Sequence, residues 1–202
     1  RLVETRPMGL LPSEDQGYVM GVIRLAAGAS VQRTDVAVDA LRKLARAMPE
    51  VEAYVGVAGL SAMTSTNSSY TGHAFISLTP WGERKEPESS ADGVIHRLEQ
   101  AASTGISDAS VLVVNPSPVP GIGFASGFEF VLEDRRGGSV EDFERVMRDL
   151  VARANERPEL FRVFGFFEST VPTIEFELDR EHAKSLGIPI SEIFAALQTH
   201  FG

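Results

Sequence analysis

Two stretches of this sequence have the same form: residues 49–57 read PEVEAYVGV and residues 158–166 read PELFRVFGF. Each begins with a proline that ends a helix-like segment, and each continues as an apolar run typical of a β-strand. The prolines are 109 residues apart (158 − 49), and so are the Ser-Val pairs at 30–31 and 139–140 (139 − 30). The equal offset predicts a duplicated unit in which a helix turns into a strand.

The first half has strand and helix patterns in the order strand, helix, strand, strand, helix, strand. Apolar residues three and four positions apart mark the helices, and β-branched or alternating runs mark the strands. The order is that of the split βαβ, ferredoxin-like unit. The predicted strands are residues 17–25, 51–57, 70–78 and 109–114, and the predicted helices are residues 31–47 and 91–102.

The second half repeats this order but stops one strand early. Its strand patterns are residues 127–132, 160–166 and 173–178, and its helical patterns are residues 139–155, 181–186 and 191–199. We therefore predict an α+β fold of two tandem ferredoxin-like (βαββαβ) subdomains, the second lacking its last strand. The stretch NPSPVPGIG at 115–123 has loop composition and places the boundary between subdomains 1–120 and 121–202.

One connection in the first unit is longer than a hairpin needs. Residues 58–70, AGLSAMTSTNSSY, are predicted as a long polar loop, whereas the second unit makes the same connection with a few residues around Ser169. A long loop on a rigid scaffold is often functional.

Composition excludes several classes of protein. The net charge of −9 gives no support for binding to nucleic acid and argues against docking on anionic lipid. The absence of cysteine excludes disulfides and thiolate sites, and no run is long and apolar enough to span a bilayer. Because the chain starts at Arg1 and stops after a helical pattern with no closing strand, we expect it to be a piece of a longer protein.

The sequence offers no catalytic group. The four histidines are scattered without metal-ligand spacing, and no nucleophile motif or phosphate loop occurs, so we expect neither a metal, a cofactor nor an enzyme. The acidic pair Glu14–Asp15 is interpreted as a solvated turn. Binding is favoured instead, because Phe166 and Phe167 are adjacent and would point to opposite faces of a strand, one of them outside the subdomain's own core.

Four segments together resemble one family, the resistance-nodulation-division (RND) efflux transporters, and within it the AcrB-like hydrophobe/amphiphile exporters. Each resembles part of the family's second large periplasmic loop, and their order and spacing agree over nearly the whole chain. The segments are LLPSEDQGYVMGVIRLAAGAS (10–30), FISLTPWGER (75–84), ASGFEFVLEDR (125–135) and EFELDREHAKSLGIPISEI (175–193).

The resemblance implies that residues 1–120 are the first porter subdomain of that loop (PC1) and that residues 121–202 are most of the second (PC2). It implies a homotrimeric, proton-driven drug exporter in the Gram-negative inner membrane, working with a periplasmic adaptor and an outer-membrane channel. Membrane spans would lie in the parent chain outside this periplasmic portion, and amphiphilic drugs would be the ligands.

The resemblance also implies roles for individual positions. The distal drug pocket would be lined by Val55, Val57, His73 and Phe75. The switch loop would include Gly59, Leu60, Ala62 and Met63. The entrance and proximal pocket would include Leu112, Val114, Pro116, Phe164 and Phe166.

This chain departs from the family pattern at some of these positions. Leu60 and Ala62 replace aromatic residues, and Phe164 and Phe166 replace an arginine and an asparagine. We therefore expect substrates that are less aromatic, or less anionic, than those of the usual members. Two alternatives remain: a freestanding soluble ligand-binding module of duplicated ferredoxin-like units, and a metal-ion exporter, which Met20 and Met63 support only weakly.

Overall fold

The computed structural model describes residues 14–61, 66–119, 128, 130–160, 162–170 and 175–201. The chain forms two compact units, Arg1–Val171 and Pro172–Gly202. The subdomain boundary near residue 120 stays a prediction. None of the helices in the described part of the chain is long and apolar enough to cross a membrane.

The larger unit contains a four-stranded antiparallel sheet in the order β2-β3-β1-β4, which is the ferredoxin-like order. The α+β class and the element order predicted for the first half are confirmed. The elements are β1 (Tyr18–Leu25), α1 (Val31–Arg46), β2 (Val51–Ser61), β3 (Thr66–Leu78), α2 (Ala91–Gly105) and β4 (Ala109–Val114), with short 3-10 turns at Trp81–Glu83 and Pro87–Ser89.

Helices α1 and α2 cover one face of this sheet and form the core with it. Fully buried side chains include Ile23 and Ile76 of the sheet, Leu41 of α1 and Leu98 of α2. Helix α1 lies close to β2 and β3 because both strands have a glycine beneath Val38. A Cβ added at Gly72 would lie 2.6 Å from Val38 Cγ2, and one added at Gly56 would meet Val38 Cγ1.

The long polar loop predicted for residues 58–70 is largely wrong. Strand β2 continues to Ser61 and β3 begins at Thr66, so the two form an extended hairpin with Leu60 opposite Asn67 and Ser61 opposite Thr66. Runs of Ser and Thr can occupy a solvent-exposed hairpin, because the neighbouring strand satisfies the backbone whatever the side chains are. Residues 62–65 lie outside the described part of the chain.

The helix of the duplicated unit and the turn that ends it are confirmed in atomic detail, but only the first copy continues into a strand in the described residues. Helix α3 (Val140–Asn155) has the same length as α1, 16 residues, and starts 109 residues later. Ser30 and Ser139 cap the two helices with side-chain oxygens that accept from Arg33 N and Asp142 N. At the other end Val51 N donates to the Met48 carbonyl at 3.1 Å, and Leu160 N donates to the Arg157 carbonyl at 3.1 Å.

The strands predicted for the second half do not form in the described residues that follow residue 119. The backbone groups of Val163, which lies in one of these predicted strands, are bonded by a side chain instead. The Asn155 amide accepts from Val163 N at 2.9 Å and donates to the Val163 carbonyl at 2.7 Å. The α+β class holds, and a complete second ferredoxin-like subdomain stays a prediction.

The smaller unit contains two helices, α4 (Arg180–Ser185) and α5 (Ile190–Phe201). Both agree with the predicted helical segments to within a few residues. Asp179 caps α4, since its carboxylate accepts from His182 N at 2.9 Å. Residues 171–174, which include the start of the third strand predicted for this half, lie outside the described part of the chain.

The interpretation of Glu14–Asp15 as a solvated turn is wrong for Asp15. Its carboxylate forms an ion pair with Arg84, whose side chain is only 1% exposed. The error arose because the partner is far along the chain, so no local pattern indicates it.

Candidate functional site

The sheet face turned away from α1 and α2 has an apolar centre. Residues that alternate with the core-facing ones along the four strands align there in two cross-strand rows. One row is Val55, Phe75, Met20 and Val114, and the next is Val57, His73, Val22 and Leu112. We call these eight residues the open face.

The side chains of the open face are exposed on β2 and at Phe75 of β3, and they are largely buried on β1 and β4. Val55 is 60% exposed, Phe75 44% and Val57 38%. In contrast Val22 and Val114 are each 5% exposed. An apolar ligand would therefore meet the β2 and β3 side chains first, where removal of their exposed surface from water favours binding.

The structure brings together the residues assigned to the distal pocket with two of those assigned to the entrance. Val55, Val57, His73 and Phe75 lie beside one another on β2 and β3, and Leu112 and Val114 continue the same rows on β4. Pro116 is buried just beyond the end of β4. Their pocket roles stay predictions.

Sequence reasoning missed the two residues that join these groups. Met20 and Val22 belong to β1, the strand between β3 and β4, and each stands opposite a residue of both neighbours. The alternation of YVMGVIRL (18–25) already contained this signal, because Val19 and Ile23 are core residues and Met20 and Val22 are out of phase with them.

His73 is the titratable residue within the open face. It is 3% exposed, and burial lowers the pKa of its imidazole from the ordinary value of 6.5. The neutral form is therefore favoured at pH 7, as is usual for a histidine removed from water.

The switch-loop residues that are described lie in the hairpin rather than in a loop. Gly59 has φ +87° at a register shift between Ala58 and Leu60, so it forms a bulge that only glycine adopts easily. Leu60 is 37% exposed next to it. Ala62 and Met63 lie outside the described residues.

Residues 162–168 are tied to this sheet by two arginines. Arg24, at the end of β1, donates to the Phe166 carbonyl at 3.0 Å and forms an ion pair with Glu168. Arg162 donates to the Val113 carbonyl of β4 at 2.8 Å and forms an ion pair with Glu99 of α2. The segment that carries Phe164 and Phe166 is thus held at both ends.

The aromatic side chains of this segment point in two directions, as their alternation predicts. Phe164 and Phe166 pack edge to face with centroids 5.1 Å apart. Phe167 packs edge to face on Phe143 of α3 with centroids 4.9 Å apart. A cavity of about 310 Å³ lies beside Phe167, between α3 and Arg24.

The described residues contain no cluster of histidine and acidic side chains that could hold a metal. The buried carboxylates have structural partners: Glu50 with Arg97, and Glu144 with Arg148 and Ser169. Hydrogen bonds from the Ser169 hydroxyl and backbone hold the pKa of Glu144 below its ordinary value.

Comparison with known proteins shows the family of the chain. The model of the AcrB/AcrD/AcrF family matches residues 1–202. The chain is 33% identical over 199 residues to the multidrug export protein AcrF of Escherichia coli (strain K12), a match covering 97% of this chain and 19% of that protein.

Two further relatives have a similar sequence identity to the chain. The chain is 32% identical over 198 residues to the multidrug/solvent efflux pump membrane transporter MepB of Pseudomonas putida, covering 97% of this chain and 18% of that protein. It is 30% identical over 202 residues to the multidrug resistance protein MdtF of Escherichia coli (strain K12), covering 97% and 19%. The chain thus spans just under a fifth of the length of these relatives, and it belongs to the AcrB/AcrD/AcrF family.

Proposed function

We propose that this chain is the drug-binding porter region of a proton-driven multidrug efflux pump, acting on the periplasmic side of a Gram-negative inner membrane. It binds amphiphilic small molecules and passes them towards an outer-membrane channel. Residues 1–120 and 121–202 are its first and second porter subdomains. The family match and the multidrug export function of the named relatives support the proposal.

The single observation that carries the binding role is the open face. Three large apolar side chains on it, those of Val55, Val57 and Phe75, are between 38% and 60% exposed. They lie side by side on two adjacent strands. A contiguous exposed apolar surface of this kind marks a binding site.

Release of the bound molecule requires movement of the segments that cover the open face. The pump works as a homotrimer with a periplasmic adaptor, and each protomer alternates between states that differ in affinity. The bound amphiphile leaves when the apolar surface that covers it separates. The segment around Phe164 and Phe166, tied to the sheet through Arg24 and Arg162, is the described element whose contacts must change.

The proposal is tested by thiol labelling of the intact parent protein. These 202 residues contain no cysteine, so Val55→Cys places the only thiol of this segment on the open face. Val36→Cys is the matched control, because Val36 is 70% exposed on the helical side of the sheet. Labelling by an uncharged maleimide is read by mass spectrometry of the two peptides.

An amphiphilic compound should slow labelling of Val55→Cys and leave Val36→Cys unchanged. Modification of Val55→Cys should also raise accumulation of that compound in cells that depend on this pump. Equal labelling of both variants at saturating compound would show that the open face is not the binding site. A soluble module that transports nothing would give protection without any change in accumulation.

A further inference from the structure

The cavity beside Phe167 is separate from the open face. It has a volume of about 310 Å³ and lies between α3, the end of β1 and residues 165–168. A cavity of this size can hold a small organic molecule. Its described lining residues include none of the eight residues of the open face, and they do not include Phe164 or Phe166.

One wall of the cavity is apolar. Met147 and Val151 lie one turn apart on α3 and are half-buried, and Phe167 adds a ring that is 41% exposed. Packing on Phe143 holds that ring in place. Gly165 allows the backbone to approach α3, because a Cβ added there would lie 2.6 Å from Met147 Sδ. A ligand with an apolar body would cover these surfaces, and their removal from water favours binding.

The rest of the described lining carries charge. Its charged side chains are Arg24 of β1, Arg148 of α3 and Glu168, so two guanidinium groups accompany one carboxylate. Arg24 and Glu168 form an ion pair, and their side chains are 23% and 20% exposed. Arg24 also donates to the Phe166 carbonyl at 3.0 Å. The lining therefore has an excess of one positive charge, in a chain whose net charge is −9.

Arg148 is the more exposed of the two arginines. Its side chain is 70% exposed and forms an ion pair with Glu144, whose side chain is 7% exposed. Glu144 also accepts from the Ser169 N–H at 2.9 Å and from the Ser169 hydroxyl, and it is not among the described lining residues of the cavity. A guanidinium has five N–H donors in a planar fork. Arg148 can therefore bind Glu144 and a ligand carboxylate at the same time.

We propose that this cavity binds a small amphiphilic carboxylate. The apolar body of the ligand lies against Met147, Val151 and Phe167, and its carboxylate accepts hydrogen bonds from Arg148 and Arg24. Hydrogen bonds between guanidinium and carboxylate groups are among the strongest in proteins. The inference goes beyond the proposed function, because it assigns a second site and the class of ligand that this site selects.

Glu168 opposes such a ligand. Its carboxylate pairs with Arg24 and repels a second carboxylate that approaches the same guanidinium. Removal of the Glu168 charge should therefore tighten the binding of an anionic ligand and weaken the binding of a cationic one. This difference in sign separates an anion site from a cavity that binds any apolar molecule.

Thiol labelling of the full-length parent protein tests the inference. Ala152→Cys places a thiol in the lining of the cavity, because Ala152 is an exposed lining residue on α3. Val36→Cys, on α1, is the control outside the cavity. An uncharged maleimide labels both variants at pH 7, and mass spectrometry of the two peptides gives the rates.

The three probes share one apolar body and differ in the head group. They are 4-phenylbutyrate, which is anionic, 4-phenylbutan-1-ol, which is uncharged, and 4-phenylbutylamine, which is cationic. The measured quantity is the probe concentration that halves the rate of labelling. The anionic probe should protect Ala152→Cys at the lowest concentration of the three and leave Val36→Cys unchanged.

Charge variants in the Ala152→Cys background test the head-group contacts. For the anionic probe, Arg148→Gln should raise the half-protection concentration about 1.4- to fivefold, the effect of a partly exposed charge contact. Glu168→Gln should lower it by a similar factor. Arg153→Gln is the matched control and should leave it unchanged, because Arg153 is an exposed arginine of α3 that pairs with Asp149 and is not among the described lining residues.

Equal protection of Ala152→Cys by the three probes, or stronger protection by the amine, would overturn the carboxylate assignment. Absence of protection by all three would overturn the site itself. Thermal unfolding identifies a charge variant that fails to fold, and the other then serves. An unchanged half-protection concentration in a folded charge variant would also overturn the inference. All of these outcomes leave the proposed function standing, because protection of Val55→Cys tests that function separately.

Discussion

Asp15 and Arg84 form a two-pronged ion pair that spans 69 residues of the chain. The guanidinium nitrogens lie 2.7 Å from Oδ2 and 3.1 Å from Oδ1 of the carboxylate. The same carboxylate accepts from the backbone N–H of Gly17 before β1 and of Ala91 at the start of α2. The pair therefore joins the EDQG turn (14–17) to the WGER turn (81–84).

Asp15→Asn should lower the free energy of unfolding by about 2–4 kcal/mol at pH 7. Loss of one partner of a buried pair costs roughly 3–5 kcal/mol, and the 28% exposure of the Asp15 side chain reduces this cost. Trp81 is the only tryptophan in the chain, and its indole N–H donates to Asp15. Its fluorescence during urea unfolding is the measurement. Glu14→Gln, at an exposed neighbouring carboxylate, is the control and should change little.

Asp15→Asn should also make the free energy of unfolding less sensitive to acid. The Arg84 hydrogen bond holds the pKa of Asp15 far below its ordinary value of 3.8. A lowered folded-state pKa gives stability that is present above 3.8 and lost as the pH falls below it. The difference between wild type and Asp15→Asn should therefore shrink below pH 3.8, and a constant difference down to the most acidic folded pH would contradict the ion-pair explanation.

Gly72→Ala should destabilise the first α+β unit by about 1–3 kcal/mol, the usual cost of overpacking a core. The new Cβ would lie 2.6 Å from Val38 Cγ2, so α1 would have to move away from the sheet. Val38→Ala should recover part of that loss in the double variant. Additive effects in a double-mutant cycle measured by urea unfolding would show that the two side chains do not meet.

Arg162 has a φ of 59°, in the left-handed region that disfavours side chains with a Cβ. Arg162→Ala and Arg162→Gly both remove the ion pair with Glu99, but only glycine relieves the backbone, which costs about 1–2 kcal/mol for other residues. The Gly variant should therefore keep residues 162–168 ordered better than the Ala variant. Hydrogen exchange of the Val163 amide, which donates to Asn155 Oδ1, measures this difference. Faster exchange in the Gly variant would rule out the left-handed conformation.

Phe164→Arg in the intact parent protein should shift export towards anionic amphiphiles. Phe164 is 40% exposed and takes the position of an arginine in the AcrB-like pattern. A partly exposed charge contact contributes about 0.2–1 kcal/mol, so the ratio of minimal inhibitory concentrations for anionic and uncharged compounds should rise roughly 1.4- to fivefold. Phe164→Leu keeps an apolar side chain and should leave the ratio unchanged. An unchanged profile in Phe164→Arg would show that the substrate hypothesis is wrong.

The sequence predicted the helices and the order of strands in the first unit because their signals are local. Ser30 and Ser139 cap helices within three residues, and apolar spacing marks the buried face of α1 and α2. Alternation also predicted that Phe166 and Phe167 diverge. The extension of β2 and β3 through the polar run was missed, because the neighbouring strand rather than the residue type holds that hairpin together.

The candidate site was only partly predictable. Resemblance named Val55, Val57, His73 and Phe75, and alternation puts them on one face. The rows that place Met20 opposite Phe75 and Val22 opposite His73 depend on the pairing register between strands about 50 residues apart. A shift of one residue would have turned these side chains to the other face.

The sequence by itself therefore determined the repeated helix, the α+β class and the order of the elements in the first unit. Tertiary structure decided which elements pair and which part of the open face is buried. It also decided that the Asp15 carboxylate forms an ion pair with the buried Arg84 side chain instead of being hydrated. The physical reason is the range of the interactions. Capping and hydrophobic periodicity act within about four residues. Register and ion pairing, by contrast, depend on groups that only the folded chain brings together.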